Sequence, residues 1–252
     1  MGRARRAARR RYMDWTRRSR ELPAGDYARL VDYHMHTKLC GHAIDEPEDY
    51  VREAMRRGLR EIGFSDHMPL LHIRDEHLTM APGDLPRYVE MVRDVQSSVD
   101  EMVIRLGIEM DYIPGRMDEV WEAAAPYDFD YVYGSVHYID GWGFSDSRHL
   151  SSYQGKDAGQ MYTRYYEIFC DAAENGGFDI MAHPDLVKKH DVRTQLPMET
   201  FYREAADALA RGNTAIELNT SGIRKPSREV YPAPAFLAIC VERGVSVTLG
   251  SD

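Results

Sequence analysis

Apolar residues in this chain come in short runs separated by stretches with helical spacing. Seven runs have the length of strands: Leu30–His36, Glu61–His67, Ile104–Tyr112, Tyr131–Tyr138, Ile180–Asp185, Ala215–Thr220 and Val245–Asp252. Between them lie Glu46–Arg57, Leu85–Glu101, Arg116–Ala124, Asp157–Glu174, Met198–Arg211 and Ala233–Arg243, which carry the pattern of helices with one buried face. Asp84 falls where the second helix should start, and Gly58, Gly212 and Gly244 where helices should stop. Strands alternating with helices imply βαβ units and a parallel sheet. No Gly-rich phosphate loop follows the first run, so a closed barrel fits better than a dinucleotide-binding fold. Two connections exceed what linking requires. Met68–Asp84 holds His72 and His77, and Ile139–Gly155 holds Trp142, Phe144 and Tyr153; such loops at a barrel mouth serve as lids or substrate contacts.

The chemistry lies in how the runs end. The first closes on His34-Met35-His36, and residues two apart on a strand face the same side, about 7 Å apart along the backbone. The others close on Ser65-Asp66-His67, Ile108-Glu109, Ser135-Val136-His137, His183-Pro184-Asp185, Glu217-Leu218-Asn219 and Ser251-Asp252. In a parallel barrel all these ends meet at one mouth. A single histidine at a strand end is usually a satisfied polar residue. Histidines and carboxylates delivered together by nearly every strand, with His42 beside them, are costly to bury unless cations neutralise them. Imidazole nitrogen with a few carboxylate oxygens suits Zn²⁺, Mn²⁺ or Fe and disfavours Ca²⁺ or Mg²⁺. A carboxylate such as Glu109 can bridge two ions that hold a hydroxide, so the residues alone point to metal-assisted hydrolysis.

Composition narrows the setting. The 252 residues are 43% hydrophobic and 29% charged, ordinary for one soluble domain. No apolar run approaches the roughly 20 residues of a membrane span. Three scattered cysteines (Cys40, Cys170, Cys240) argue against a disulfide framework and for a cytoplasmic setting. Residues 1–20 hold nine arginines and one acid, a charge of +8 within a chain of −9, which leaves −17 on the remainder. That acidic body argues against nucleic-acid binding. Residues 1–28 are read as an Arg-rich extension without a role in the chemistry, and 29–252 as the barrel domain.

The segments DYHMHT…CGHA, GFSDHMPL, GIEMDY, YVYGSVHY, AHPDLVKKH, ELNTSGIRKP…EVYP and GVSVTLGSD resemble the polymerase and histidinol phosphatase (PHP) superfamily, and within it the histidinol-phosphatase branch. The resemblance runs from about Val31 to the last residue. It implies a distorted (β/α)7 barrel of the PHP type with two to three divalent ions (Zn, Mn or Fe). By position it implies a first ion on His34, His36, Glu109 and Asp252, a second on Glu109, His137 and His183, and a third on His42 and His67. The family places a further histidine two residues past the final Asp, whereas this sequence stops at Asp252. The C-terminal end is therefore read as truncated.

The activity so implied is hydrolysis of L-histidinol phosphate, a small-molecule phosphomonoester, to L-histidinol and phosphate by a metal-bridging hydroxide. Arg224 is the foremost candidate for a bidentate phosphate clamp, with Lys225 and Lys188 behind it. Asp185 and Asp252 both qualify to assist the leaving alkoxide. His72, His77, His149 and His190 are expected to be structural or exposed, and Trp142, Phe144 and Tyr162–Tyr166 to pack the core or a lid. Two competing readings are a relative acting on another phosphomonoester, such as a nucleotide or phosphotyrosine peptide, and an inactive metal-binding module.

Overall fold

The computed structural model describes residues 30–71, 73 and 78–252. The Arg-rich leader, His72 and His77 lie outside the described residues. Seven parallel strands, Val31–Asp32 (β1), Glu61–Phe64 (β2), Val103–Asp111 (β3), Tyr131–Ser135 (β4), Ile180–Met181 (β7), Ala215–Asn219 (β8) and Val247–Gly250 (β9), pair in chain order. Tyr138–Ile139 (β5) and Trp142–Gly143 (β6) form a separate antiparallel hairpin. The first and last strands of the sheet meet. The Tyr33 N–H donates to the Leu249 carbonyl at 3.1 Å and the Asp252 N–H to the His34 carbonyl at 2.7 Å. The sheet thereby forms a nearly closed seven-stranded barrel, and every strand presents its C-terminal end at one rim.

The connecting helices are Pro47–Arg56 (α1), Leu85–Ser98 (α2), Met117–Ala124 (α3), Ala158–Asn175 (α4), Met198–Gly212 (α5) and Pro234–Glu242 (α6). Glu46 and Asp49 start α1 by capping each other's backbone, with Pro47 in the first turn. In α2, Leu85, Tyr88, Val92 and Val95 are buried at spacings of three and four, which lays one stripe of the helix on the barrel wall. The Asp157 carboxylate caps α4 by accepting the Gln160 N–H at 2.8 Å.

Aromatic rings fill the barrel's interior. Tyr131 and Tyr133, two apart on β4, point inward with Ile180 and Ala182. Gly63 and Gly107 on the neighbouring strands leave room for the Tyr131 ring, which any Cβ at either position would strike. The Tyr131 hydroxyl donates to the Tyr33 carbonyl at 2.5 Å. The Tyr133 ring then stands 4.7 Å from that of His34, so an apolar plug is the floor on which the polar layer rests.

Several elements are shorter than the pattern predicts. The ladder of β1 stops at Asp32, four residues before His36, because the chain beyond it turns to serve the rim; the Ser65 N–H still reaches the Met35 carbonyl at 2.9 Å. In the run expected from Ile180 to Asp185 only two residues are strand, since His183 and Asp185 adopt left-handed φ values of 25° and 60° that no strand allows. Asn213 (φ 53°), rather than Gly212, makes the left-handed turn that ends α5. The expected loop Ile139–Gly155 holds β6 and a 3-10 stretch at Ser147–Tyr153.

Candidate metal centre

Glu109 occupies the middle of the rim. It is fully buried near the end of β3. Its Oε2 lies 3.1 Å from His34 Nε2, 3.5 Å from His36 Nε2 and 3.1 Å from His67 Nδ1. Its Oε1 lies 3.0 Å from His183 Nε2 and 3.9 Å from His137 Nε2. Asp252, just past β9, puts Oδ1 3.5 Å from His36 Nε2. His42 follows the 3-10 turn Lys38–Cys40 and stands 4.7 Å, ring to ring, from His36. Although His34 and His36 lie beyond the ladder, their rings are 5.0 Å apart on the same side.

The rings are held from behind. His34 Nδ1 pairs with Glu217 Oε1 at 2.7 Å, His137 Nδ1 with Asp111 Oδ1 at 2.9 Å, His42 Nδ1 with the Cys40 carbonyl at 3.0 Å and His36 Nδ1 with Cys40 Sγ at 3.5 Å. Each of these four therefore keeps the other nitrogen for whatever sits in front. Among the described residues, the buried His36 Nε2 and His67 Nδ1 have no hydrogen-bond partner. Converging buried nitrogens without hydrogen-bond partners are what a divalent cation satisfies.

Donor atoms of His34, His36 and Asp252 lie within 4.8 Å of one another, as do those of His36, His42 and His67, of His34, Glu109 and His183, and of His67, Asp111 and His137. The set expected for the first ion is thus brought together, and His36 joins the pair expected for the third. His183 stands against Glu109 as the second set requires. His137 stands further off, among His67 and Asp111.

The electrostatics suit the same occupant. Burial alone would raise the Glu109 carboxyl, but His67 and His34 outweigh it and hold the group well below the usual range. Asp252 is partly buried, which alone would raise its carboxyl, but His34 and His36 outweigh that and hold it low. Crowding by the neighbouring rings strips water from His42, whose outer edge stays exposed, and with His36 beside it this pushes the imidazole down to about 3. Burial also puts His67 well below its usual value. The carboxylates are ionised and these two rings neutral, the protonation states a cation requires of its ligands.

The centre opens into a cleft with an empty volume of about 580 Å³. His42, His67, Asp111, His137, His183 and Asp252 line it, as do Leu70, Leu78, Tyr138 and Leu186. Lys225 lines it, together with Lys189. Lys188 is buried instead, with Nζ 2.9 Å from Asp185 Oδ2 and 3.1 Å from Glu229 Oε2. Asp185 Oδ2 also accepts the Ala233 N–H at 2.7 Å, so its carboxylate ties two loops together. Exposed Arg224 donates from Nη2 to the carbonyls of Ser251 (2.7 Å) and Asp252 (2.6 Å). His149 is exposed beside Asp146, and His190 Nε2 faces the Ser145 carbonyl at 3.3 Å.

Sequence reasoning placed Glu217 and Asn219 at a run ending but gave no site role to them or to Asp111, Cys40 and Lys189. For two of them the signal was present. Asp111 and Asn219 follow Glu109 and Glu217 by two residues, the spacing that joined His34 to His36. Lys189 carried no such mark, because only the turn after β7 decides which of two adjacent lysines faces the cleft.

Comparison with known proteins places the chain in a family. The PHP domain profile matches residues 32–221. A Deinococcus radiodurans protein named "Probable histidinol-phosphatase" is 38% identical over 224 residues, covering 88% of this chain and 85% of its own. The "Histidinol-phosphatase" of Bacillus subtilis is 25% identical over 253 residues, covering 88% and 92%. The solved structure of histidinol phosphate phosphatase from Lactococcus lactis, complexed with zinc, L-histidinol and phosphate, superposes with a TM-score of 0.76 at 24% identity, covering 88% of this chain and 85% of that one. With the profile spanning β1 to the end of β8 and its histidines and Glu109 gathered at one rim, the chain belongs to the PHP domain family.

Proposed function

We propose that this chain hydrolyses L-histidinol phosphate to L-histidinol and phosphate, a reaction of histidine biosynthesis. The observation that carries it is the nitrogen-rich donor cluster around Glu109, which opens into a cleft shared by two lysines, in a chain 38% identical to a protein named for that activity. His34, His36, Glu109 and Asp252 would hold one divalent ion, Glu109, His137 and His183 a second, and His42 and His67 a third. Zinc leads, with manganese and iron behind it. Such ions, when bound, supply Lewis-acid polarisation of the phosphoryl group and an activated water.

The rest falls to the chain itself. Lys189 and Lys225 offer their ammonium groups to the phosphoryl oxygens, with Arg224 in reserve at the rim. Leu70, Leu78, Tyr138 and Leu186 seat the remainder of the substrate and exclude water from one side of the cleft. Of the two acids considered for the leaving alkoxide, Asp252 is on the cleft wall, while one oxygen of Asp185 is taken by Lys188 and the Ala233 N–H. A cytoplasmic setting keeps the free thiols Cys40, Cys170 and Cys240 reduced.

The deciding experiment is a panel of phosphomonoesters on zinc-loaded protein. Histidinol phosphate is expected to give a kcat/KM at least about 100-fold above a nucleoside monophosphate or a phosphotyrosine peptide, a floor that the fit of an apolar pocket alone can supply. Equal values across the panel would sink the proposal.

Lys189 yields a second expectation. Burial, with Lys225 beside it, lowers its ammonium to about 8. The group is a cation below that pH and neutral above it, so affinity for the phosphate dianion falls as pH rises through about 8. Lys189→Ala should raise KM by roughly 10- to 100-fold at neutral pH, the worth of one charged hydrogen bond, and flatten the alkaline rise in KM expected of the parent. Steady-state kinetics between about pH 7 and 9 check both. An alkaline limb that survives in the variant would assign it to another group.

A further inference from the structure

Glu217 lies on β8, outside the ligand sets above, and is fully buried. Its Oε1 faces His34 Nδ1 at 2.7 Å. Its Oε2 accepts the backbone N–H of His183 at 2.6 Å and the side-chain amide of Asn219 at 3.0 Å. The same Asn219 amide reaches Asp252 Oδ2 at 3.1 Å, an oxygen that also accepts the Ser221 hydroxyl at 2.9 Å. Gly250 on the adjacent strand makes the space, because a Cβ there would meet both Glu217 Oε1 and the His34 Cβ.

We infer that Glu217 is the positioning residue of the metal centre, one carboxylate that sets the tautomer of His34 and the aim of His183 and steadies Asp252 through Asn219. This rests on His34, His183 and Asp252 being ligands. A carboxylate only accepts, so the proton between it and His34 resides on Nδ1, and Nε2 is the nitrogen presented to an ion. The negative charge behind the ring makes Nε2 a stronger donor than an amide or carbonyl partner would. At His183 the bond is to the backbone of a non-glycine residue held at φ 25°. Such a conformation persists only where surrounding bonds enforce it, and it aims His183 Nε2 at Glu109 Oε1, 3.0 Å away. Segments that follow β1, β7 and β9 are in this way held by a side chain of β8.

The test uses full-length protein, metal-free and zinc-loaded, with ¹⁵N-labelled histidine. A slowly exchanging imidazole Nδ1–H resonance from His34 is expected in the parent in both states. In Glu217→Gln the amide cannot accept all three N–H groups, so that resonance should broaden or disappear. Zinc, titrated against a chelator of known affinity, should bind about 10- to 100-fold more weakly. A parent protein without the resonance overturns the inference, and this reading needs no variant to fold. So does a Glu217→Gln protein that loses thermal stability yet keeps both the resonance and the parent's zinc affinity, since that is a purely structural role. Failure of the parent to bind zinc at all would refute the metal centre itself, a result distinct from either.

Discussion

Replacing Glu109 with glutamine should abolish turnover while the barrel stays folded. Glutamine keeps the shape of the side chain but removes its charge and turns one of its two acceptor oxygens into a donor. Both oxygens are in use here. Oε2 faces His34, His36 and His67, and Oε1 faces His183 and His137, all within 3.9 Å. An amide N–H directed at either group of rings opposes nitrogens that should be offering lone pairs to an ion, and the anion that balances neighbouring cations is gone. Losing a partner one layer behind a metal costs roughly 10- to 100-fold in affinity or activity. The loss of a carboxylate from the centre should exceed that range. The backbone of β3 is held by ladders to β2 and β4 that do not involve this side chain, so the far-ultraviolet circular dichroism should match the parent's. Near-normal turnover in the variant, with zinc bound, would show that Glu109 bridges nothing.

What the sequence reveals and what it hides follow from physical range. Strand and helix order is local, encoded in periods of two and about 3.6, and the seven parallel strands appear where the pattern predicts them. The expected ligands also converge, because a parallel barrel brings all strand C-termini to one rim regardless of loop detail. Two kinds of information are not local. One is where a strand ends. His34, His36 and His183 lie beyond their ladders in irregular backbone, and the left-handed turn at His183 depends on an acceptor 34 residues away. The other is which side chain faces the cleft after a turn. Lys188 and Lys189 are indistinguishable in composition, yet the 3-10 turn Leu186–Lys188 buries the first against Asp185 and Glu229 and turns the second toward the cleft. The partners behind the rings, Glu217 and Asp111, were legible as carboxylates at strand ends. Their role was not, because it depends on ring orientation.

Removing bound metal should cost both activity and stability, and restoring zinc should return both. Six imidazoles and the carboxylates of Glu109, Asp111 and Asp252 crowd one rim, and among the described residues the buried nitrogens His36 Nε2 and His67 Nδ1 have no hydrogen-bond partner. An ion that binds only the folded chain stabilises it by about 4 kcal/mol when present at roughly 1,000 times its dissociation constant. For a domain of this length each kcal/mol moves the thermal midpoint by about 2–4 °C, so one tightly held ion is worth roughly 8–16 °C. Chelation followed by dialysis should therefore lower the midpoint by at least that much and reduce turnover to background. Zinc should reverse both effects. Magnesium, a hard cation that favours oxygen ligands and keeps its waters, should reverse neither. Protons mark the same event. Burial would lower the His34 imidazole, but Glu217 and Glu109 outweigh it and hold it well above its usual value. The ring thus holds a second proton more firmly than a free imidazole does, and an ion arriving at Nε2 must expel it. His42, held near 3, has none to lose. Zinc binding in weak buffer at neutral pH should release protons, and the uptake should weaken as the solution is acidified. A thermal midpoint indifferent to chelator and zinc would remove the metal centre from this barrel.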